Sequence, residues 1–145
     1  MKIFSKLIYM GIIVLVIVVG EIAATEEKTK TSAKEGKIIA YYFHGTYRCS
    51  SCTKIEKWSY EAIKNSFPKA LKQGQLLWKL VNIDKPENRH FVKEYGLFTK
   101  SLIITEVKGE KQIKWKNLDK VWQLLRDQEK FSAYVTQEVK KYLGN

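Results

Sequence analysis

Two cysteines, Cys49 and Cys52, follow closely on the apolar run Lys37–Phe43. The run is rich in strand-forming residues and predicts a strand buried on both faces, as in a parallel sheet. From Cys49 onward the apolar residues recur with a helical period up to Phe67-Pro68, at Ile55, Trp58, Ala62 and Ile63. A C-x-x-C motif alone could be half of a zinc site, but between a buried strand and an amphipathic helix it favours a redox pair.

Three further strands are predicted from apolar runs, at Leu76–Ile83, Ser101–Lys108 and Lys111–Trp115. The tight turn Gly109-Glu110 joins the last two into a hairpin. In the final strand lysines alternate with apolar residues, so we expect the lysines to face outward and the apolar side chains to face inward.

Helices are predicted between and after these strands. A short one contains His90, Phe91 and Tyr95 and ends at Gly96. An apolar stripe over residues 118–125 predicts another helix. Asp127 then has the character of a new N-cap for a second C-terminal helix that reaches Leu143. The predicted fold class is α/β, with a β-α-β-α-β-β-α core, an extra C-terminal helix and an N-terminal apolar targeting helix.

The first 24 residues have the order of a secretory targeting segment, because Lys2 and Lys6 precede the uncharged apolar run Leu7–Val19. A single membrane-spanning helix needs about 20 mostly apolar residues. A cleaved signal peptide and an uncleaved anchor therefore both remain open. The alternative without a targeting role is a buried helix. Lysines before the run and glutamates after it predict that the rest of the chain faces outward, either membrane-anchored or secreted on the extracytoplasmic side.

Composition limits the partners of the remaining chain, which we divide into a polar tether at 25–36 and one domain at 37–145. The 26 basic residues outnumber the 15 acidic ones. Only three of the basic residues are arginines, whereas nucleic-acid readers favour arginine for bidentate contacts. No nucleic acid is expected, and a solvated surface is the simplest explanation of the lysine excess, with anionic lipid head groups as another possibility.

The predicted chemistry lies at the start of the helix. Cys49 would stand at the positive end of the helix dipole, near unpaired backbone N–H groups that stabilise a thiolate. Cys52 lies one turn further on, close enough to resolve a mixed disulfide. Arg48 adds a positive charge that favours the thiolate. Tyr47 is a candidate for the substrate surface or for ordinary packing.

Over residues 37–143 the chain resembles the thioredoxin superfamily. The resemblance is carried by the strand Ile38–Phe43, the Cys49–Cys52 motif with its helix, and the pair of segments Val81-Asn82-Ile83-Asp84 and Glu94-Tyr95-Gly96-Leu97. It implies a thiol–disulfide exchange site with Cys49 as nucleophile and Cys52 as resolving residue. The substrate would be a protein or small-molecule thiol or disulfide.

A closer resemblance is to the small membrane-targeted thioredoxin-like proteins known as a nitrophenyl-compound nitroreductase subunit, which are linked by name to arsenic-resistance operons. The C-terminal residues Trp122-Gln-Leu-Leu, Glu129-Lys-Phe131, Tyr134-Val135 and Tyr142-Leu143 carry it. That name is no demonstrated activity, and no flavin site is indicated.

Three positions depart from the superfamily pattern. Ser101 stands where thioredoxins carry a cis-proline, and because a cis peptide before serine costs ~2.5–4 kcal/mol we expect a trans bond. Its hydroxyl is predicted to lie beside the pair and to stabilise the Cys49 thiolate. The resemblance places the buried acid of the family on Phe43, which cannot act as a base. The residues between the cysteines are two serines.

Two functions from different classes follow. The leading one is a membrane-targeted extracytoplasmic thiol–disulfide oxidoreductase that needs no cofactor. The alternative is a non-catalytic module of the same fold that binds a soft metal or metalloid through Cys49 and Cys52, with His44 as a third ligand. The simpler interpretation of His44 is a loop histidine bonded to the backbone. The sequence does not indicate an oligomeric state.

Overall fold

The computed structural model describes residues 36–144, so the predicted targeting segment and nearly all of the tether lie outside the described residues. Within them no helix combines the length and the apolar character needed to cross a membrane. Two 3₁₀ turns, Pro86–Asn88 and Asp119–Trp122, interrupt the loops. The strands and α-helices are β1 (Lys37–His44), α1 (Ser50–Ser66), α2 (Pro68–Lys72), β2 (Leu76–Asn82), α3 (His90–Glu94), β3 (Ser101–Lys108), β4 (Lys111–Asn117) and α4 (Gln128–Leu143).

The four strands form one mixed sheet in the order β2-β1-β3-β4. β1 pairs in parallel with β2, and β3 runs antiparallel to both β1 and β4. All of β1 except Lys37 is buried, which confirms the prediction of a strand covered on both faces. One antiparallel strand among three that share a direction, with C-x-x-C after the central strand, is the thioredoxin-like α/β arrangement.

Alternation along β1 divides its side chains between two cores. One face packs under α1 and α4, where Ala40 and Tyr42 meet Ile55 and Phe131. The other face carries a cluster of aromatic and aliphatic side chains under the short helix α3 and its neighbouring loop. That cluster contains Ile39, Tyr41, Phe43, Val81, Tyr95, Leu97 and Ile103.

The predicted orientation of β4 is wrong for its lysines. Lys116 lies on the α4 side of the sheet, where its Nζ donates to Glu138 Oε2 over 2.9 Å. Lys114 Nζ lies 4.9 Å from the ring centre of Tyr142 on the same helix. Ile113 and Trp115 are 44% and 40% exposed, and Trp115 packs edge-on against the buried Tyr95 with ring centres 5.2 Å apart. The buried carboxylate of Glu138 needs cationic partners, and β4 supplies one of them.

The C-terminal region has one α-helix where two were predicted. Within residues 118–125 only the 3₁₀ turn Asp119–Trp122 is helical, and Leu118 N before it donates to Leu102 O, which holds the chain to β3. Asp127 is the N-cap of α4, as predicted, and its side chain accepts from Lys130 N over 3.0 Å. The helix predicted over 118–125 is therefore absent, whereas the predicted C-terminal helix after Asp127 is present as α4 and is the last helix of the fold.

Candidate redox site

Cys49 and Cys52 form a disulfide at the start of α1, with their Cα atoms 5.1 Å apart. Cys49 is the N-cap residue, in an extended backbone conformation, and the helix begins at Ser50. Cys52 N donates to Cys49 Sγ over 3.2 Å. The sulfur of Cys49 therefore occupies the place of an N-cap oxygen and faces an otherwise unpaired helical N–H group.

The two cysteines differ in exposure. Cys52 is 1% exposed and lies inside the first turn of α1, whereas Cys49 is half-buried and borders solvent. An external thiol or disulfide therefore has access to Cys49 and not to Cys52. This asymmetry is the one that a nucleophile and a resolving residue require.

Arg48 forms an ion pair with Glu56 on α1. The two side chains are 29% and 25% exposed, so solvent screens the pair only in part. The predicted positive charge beside Cys49 is present, but a carboxylate that sequence reasoning missed compensates it. Glu56 follows Cys52 by four residues, and this helical spacing could have indicated that Glu56 lies on the same side of α1 as the cysteine pair.

Tyr47 is 81% exposed, so of the two predicted roles the structure excludes ordinary packing. Phe98, which sequence reasoning missed, is fully exposed in the loop before β3. Because Phe43 near the end of β1 pairs with Ser101 at the start of β3, both loops lie at the same end of the sheet as the disulfide. Two aromatic side chains thus stand in solvent at this end.

Ser101 begins β3 and is 4% exposed. No cis peptide occurs between residues 36 and 144, so its peptide bond is trans as expected. Its hydroxyl donates to Thr99 O over 2.9 Å, within its own loop. The preceding carbonyl, Lys100 O, accepts from Trp122 Nε1 over 3.3 Å. The predicted contact of Ser101 with a Cys49 thiolate stays a prediction.

Phe43, which the resemblance assigned to the family's buried acid, does not lie beside the cysteine pair. Phe43 points to the α3 side, where its ring centre lies 5.5 Å from that of Tyr95. The residue next to the pair is Tyr42, whose hydroxyl donates to Cys52 O over 2.7 Å. Neighbouring strand residues point to opposite faces, and with both faces of β1 apolar the sequence could not show which one meets α1.

Tyr42 is completely buried between β1 and α1. Burial raises the pKa of its phenol to about 12, although the positive charge of Arg48 opposes the shift. The hydroxyl therefore stays protonated at neutral pH and acts as a hydrogen-bond donor. His44 stacks on Tyr42 with ring centres 6.3 Å apart.

The structure supports the simpler interpretation of His44. Its Nδ1 lies 2.8 Å from Gly45 O, and the residue is 9% exposed. In the part of the chain that the structure describes, no group of three or more His, Cys, Asp or Glu side chains is placed to hold a metal ion. The ligand set Cys49, Cys52 and His44 is thus not assembled here.

A carboxylate anchors the loop between β1 and α1. Thr46 N donates to Asp84 Oδ2 over 2.6 Å, and Asn82 Nδ2 donates to Thr46 Oγ1 over 3.2 Å. Gly45 permits this approach, because a Cβ there would lie 3.0 Å from Asp84 Oδ2. The Thr46 hydrogen bonds hold the pKa of Asp84 below its usual value. The segment that predicted a family motif, Val81-Asn82-Ile83-Asp84, thereby fixes the loop that leads to Cys49.

No protein-family model matches this chain, and no curated protein matches it. Among solved structures, Fasciola hepatica thioredoxin is similar at 16% identity and a TM-score of 0.41, covering 72% of this chain and 83% of that one. Thioredoxin O2 from Arabidopsis thaliana in its oxidized state is 17% identical with a TM-score of 0.40, and the match covers 65% of this chain and 74% of that one. The thioredoxin from Trypanosoma brucei brucei is 19% identical with a TM-score of 0.39, and the match covers 68% of this chain and 79% of that one. The strand order and the position of the pair, and not these scores, identify the thioredoxin-like fold.

Proposed function

We propose that this chain is a thiol–disulfide oxidoreductase whose redox centre is the Cys49–Cys52 pair. The observation that carries the proposal is the asymmetry of the pair: Cys49 borders solvent as the N-cap of α1, and Cys52 is buried inside the first turn. A structural disulfide has no need of an accessible sulfur aimed at a helical N–H group. A nucleophile has that need, because both features favour its thiolate.

The reduced protein reacts in two steps. The Cys49 thiolate attacks a substrate disulfide, a Cys49–substrate bond forms, and one substrate sulfur leaves as a thiolate with the electron pair. Cys52 then loses its proton to solvent and attacks Cys49 Sγ. The intramolecular disulfide forms, the second substrate sulfur leaves, and the substrate has gained two electrons while the protein has lost two. The reverse sequence oxidises a dithiol.

The ends of the two loops at this end of the sheet provide a place for a substrate. Tyr47 precedes the motif and Phe98 precedes β3, and both are exposed. Large exposed aromatic side chains are typical of contact surfaces for other proteins. We therefore favour a protein thiol or disulfide over a small one.

The order of charge and apolar residues in 1–24 supports a location outside the cytoplasmic membrane, anchored or secreted, as a further part of the proposal. The resemblance of the C-terminal residues to membrane-targeted thioredoxin-like proteins supports the same placement. A reporter fused at Asn145 is expected to be active only on the extracytoplasmic side. Activity confined to the cytoplasm would contradict this placement and leave the redox chemistry untouched.

The redox function is tested by reduction of insulin disulfides with a dithiol as electron source. The parent chain is expected to accelerate reduction, Cys49→Ser to abolish the acceleration, and Cys52→Ser to accumulate mixed disulfides with the substrate. Metal content is measured on the same reduced sample. A parent without acceleration that retains a stoichiometric soft metal would overturn the proposal in favour of the metal-binding alternative.

A further inference from the structure

The hydroxyl of Tyr42 bonds to the backbone of the proposed resolving cysteine. It donates to Cys52 O over 2.7 Å, from a side chain with no exposed surface. A carbonyl oxygen has two lone pairs, so it accepts this bond in addition to the helical one. The bond therefore joins the central strand β1 to the first turn of α1, at the proposed resolving residue.

The two sulfurs depend on that turn once the disulfide opens. Closure of the mixed disulfide is intramolecular, and its rate depends on how closely Cys52 Sγ is held to Cys49. The first turn of a helix frays readily, since its N–H groups lack helical partners. In the oxidised protein one of these N–H groups, that of Cys52, donates to Cys49 Sγ over 3.2 Å.

We infer that Tyr42 is a positioning residue for Cys52, because its hydroxyl fixes the first turn of α1 to β1 and so keeps the resolving sulfur within reach of Cys49. The inference rests on the proposed function and concerns its second step alone. Tyr42 takes no proton from Cys52, since a protonated phenol is a donor. The proton of Cys52 leaves to solvent, and Tyr42 contributes geometry.

The reaction of the reduced full-length chain with dithionitrobenzoate separates the two steps. Attack by Cys49 releases one coloured thionitrobenzoate, and attack by Cys52 on the mixed disulfide releases the second. Tyr42→Phe removes the hydroxyl and keeps the ring. We expect its first release to match the parent and its second to be about three- to tenfold slower, the range of one buried hydrogen bond. The reduction potential should rise by about 15–30 mV, at about 30 mV per tenfold change.

Tyr41→Phe is the matched control. Tyr41 is the preceding residue and is 8% exposed, but it stacks on Phe43 on the opposite face of β1. Both of its releases should match the parent. A merely structural role of Tyr42 would slow neither release selectively, whereas the inference requires the second to change alone.

The outcomes separate the two hypotheses. A parent that releases no thionitrobenzoate overturns the proposed function and this inference together. A normal parent with an unchanged second release in Tyr42→Phe, or with both releases slowed equally, overturns only the inference. Should Tyr42→Phe not fold, hydroxyl-proton exchange in the parent decides. The proton of the Tyr42 hydroxyl must stay protected from exchange with solvent after the disulfide is reduced. Loss of that protection on reduction would overturn the inference.

Discussion

Tyr41, Tyr42 and Phe43 are consecutive residues of β1, yet they belong to two different regions of the molecule. Tyr42 lies under α1 and bonds to Cys52. Tyr41 and Phe43 stack on each other at a centroid distance of 5.2 Å, in the cluster under α3. All three are buried, so burial does not distinguish them. What distinguishes them is the face of the strand.

The difference separates two kinds of contribution to the same site. The α1 face carries the hydrogen bond to the redox turn, and its substitutions should change chemistry. The α3 face carries apolar packing, and its substitutions should change stability. Because the two faces belong to one strand, substitutions on one face serve as controls for substitutions on the other.

The largest effect is expected on the α3 face, from Phe43→Ala. Removing a fully buried phenylalanine leaves a cavity and should lower the free energy of unfolding by about 3–5 kcal/mol, measured by denaturant titration. The reduction potential of the pair should stay near that of the parent. A potential shifted by more than about 30 mV, a tenfold change in equilibrium, would show that the α3 face also controls the chemistry.

A smaller effect is expected where the loop before Cys49 is anchored. Asp84→Ala removes the acceptor of the Thr46 N–H group, so this amide should exchange faster and disulfide exchange should slow a few-fold. Asp84→Asn keeps an acceptor oxygen and is the control. Hydrogen exchange of Thr46, followed by NMR, measures the anchor.

The same carboxylate gives the anchor a pH dependence. The folded-state pKa of Asp84 is lowered, so its contribution is present above the unfolded-state value and is lost as the pH falls through the folded-state value. Thr46 protection in the parent should therefore fall on acidification, and Asp84→Asn should not show that step. Identical acid profiles in the two proteins would contradict the anchor.

A more modest change is expected from Glu56→Gln in helix α1. The variant leaves the charge of Arg48 uncompensated, which should lower the pKa of the Cys49 thiol and speed its alkylation about two- to fivefold near neutral pH. Glu61→Gln is the control, because Glu61 lies on the same helix and faces Lys57 at 4.0 Å. Equal alkylation rates in the two variants would show that the charge of Arg48 does not affect the Cys49 thiol.

The smallest effect is expected from Ser101→Ala. In the oxidised protein the hydroxyl donates to Thr99 O, so it must turn to reach a Cys49 thiolate. If it does so, the variant raises the pKa of Cys49 and slows disulfide exchange slightly. A titration of Cys49 that matches the parent would leave Ser101 with a structural role in its own loop.

Local signals predicted the elements around the site. The apolar run of β1, the helical period after Cys49 and the N-cap Asp127 depend on neighbours in sequence, and each was predicted where the structure has it. The orientation of β4 could not be predicted in this way. It depends on Glu138, 22 residues beyond Lys116, whose buried carboxylate places the lysines of β4 on the side expected for apolar residues.

The site itself shows the same limit. The position of Cys49 and Cys52, and the roles proposed for them, follow from a motif and a helix start, both of them local. The hydrogen-bond partner of Cys52 could not be predicted, because β1 is apolar on both faces and the resemblance selected Phe43 in place of Tyr42. The Asp84 anchor joins residues 38 positions apart, and only the pairing of β1 with β2 brings them together.

The central claim is that the pair is chemically asymmetric, with Cys49 as the nucleophile. Competitive alkylation of the reduced full-length chain at neutral pH, resolved for each cysteine by peptide mass spectrometry, tests it most directly. We predict that Cys49 is modified faster than Cys52, because it borders solvent as the N-cap of α1 while Cys52 is buried within the first turn. Equal rates, or faster modification of Cys52, would contradict the account.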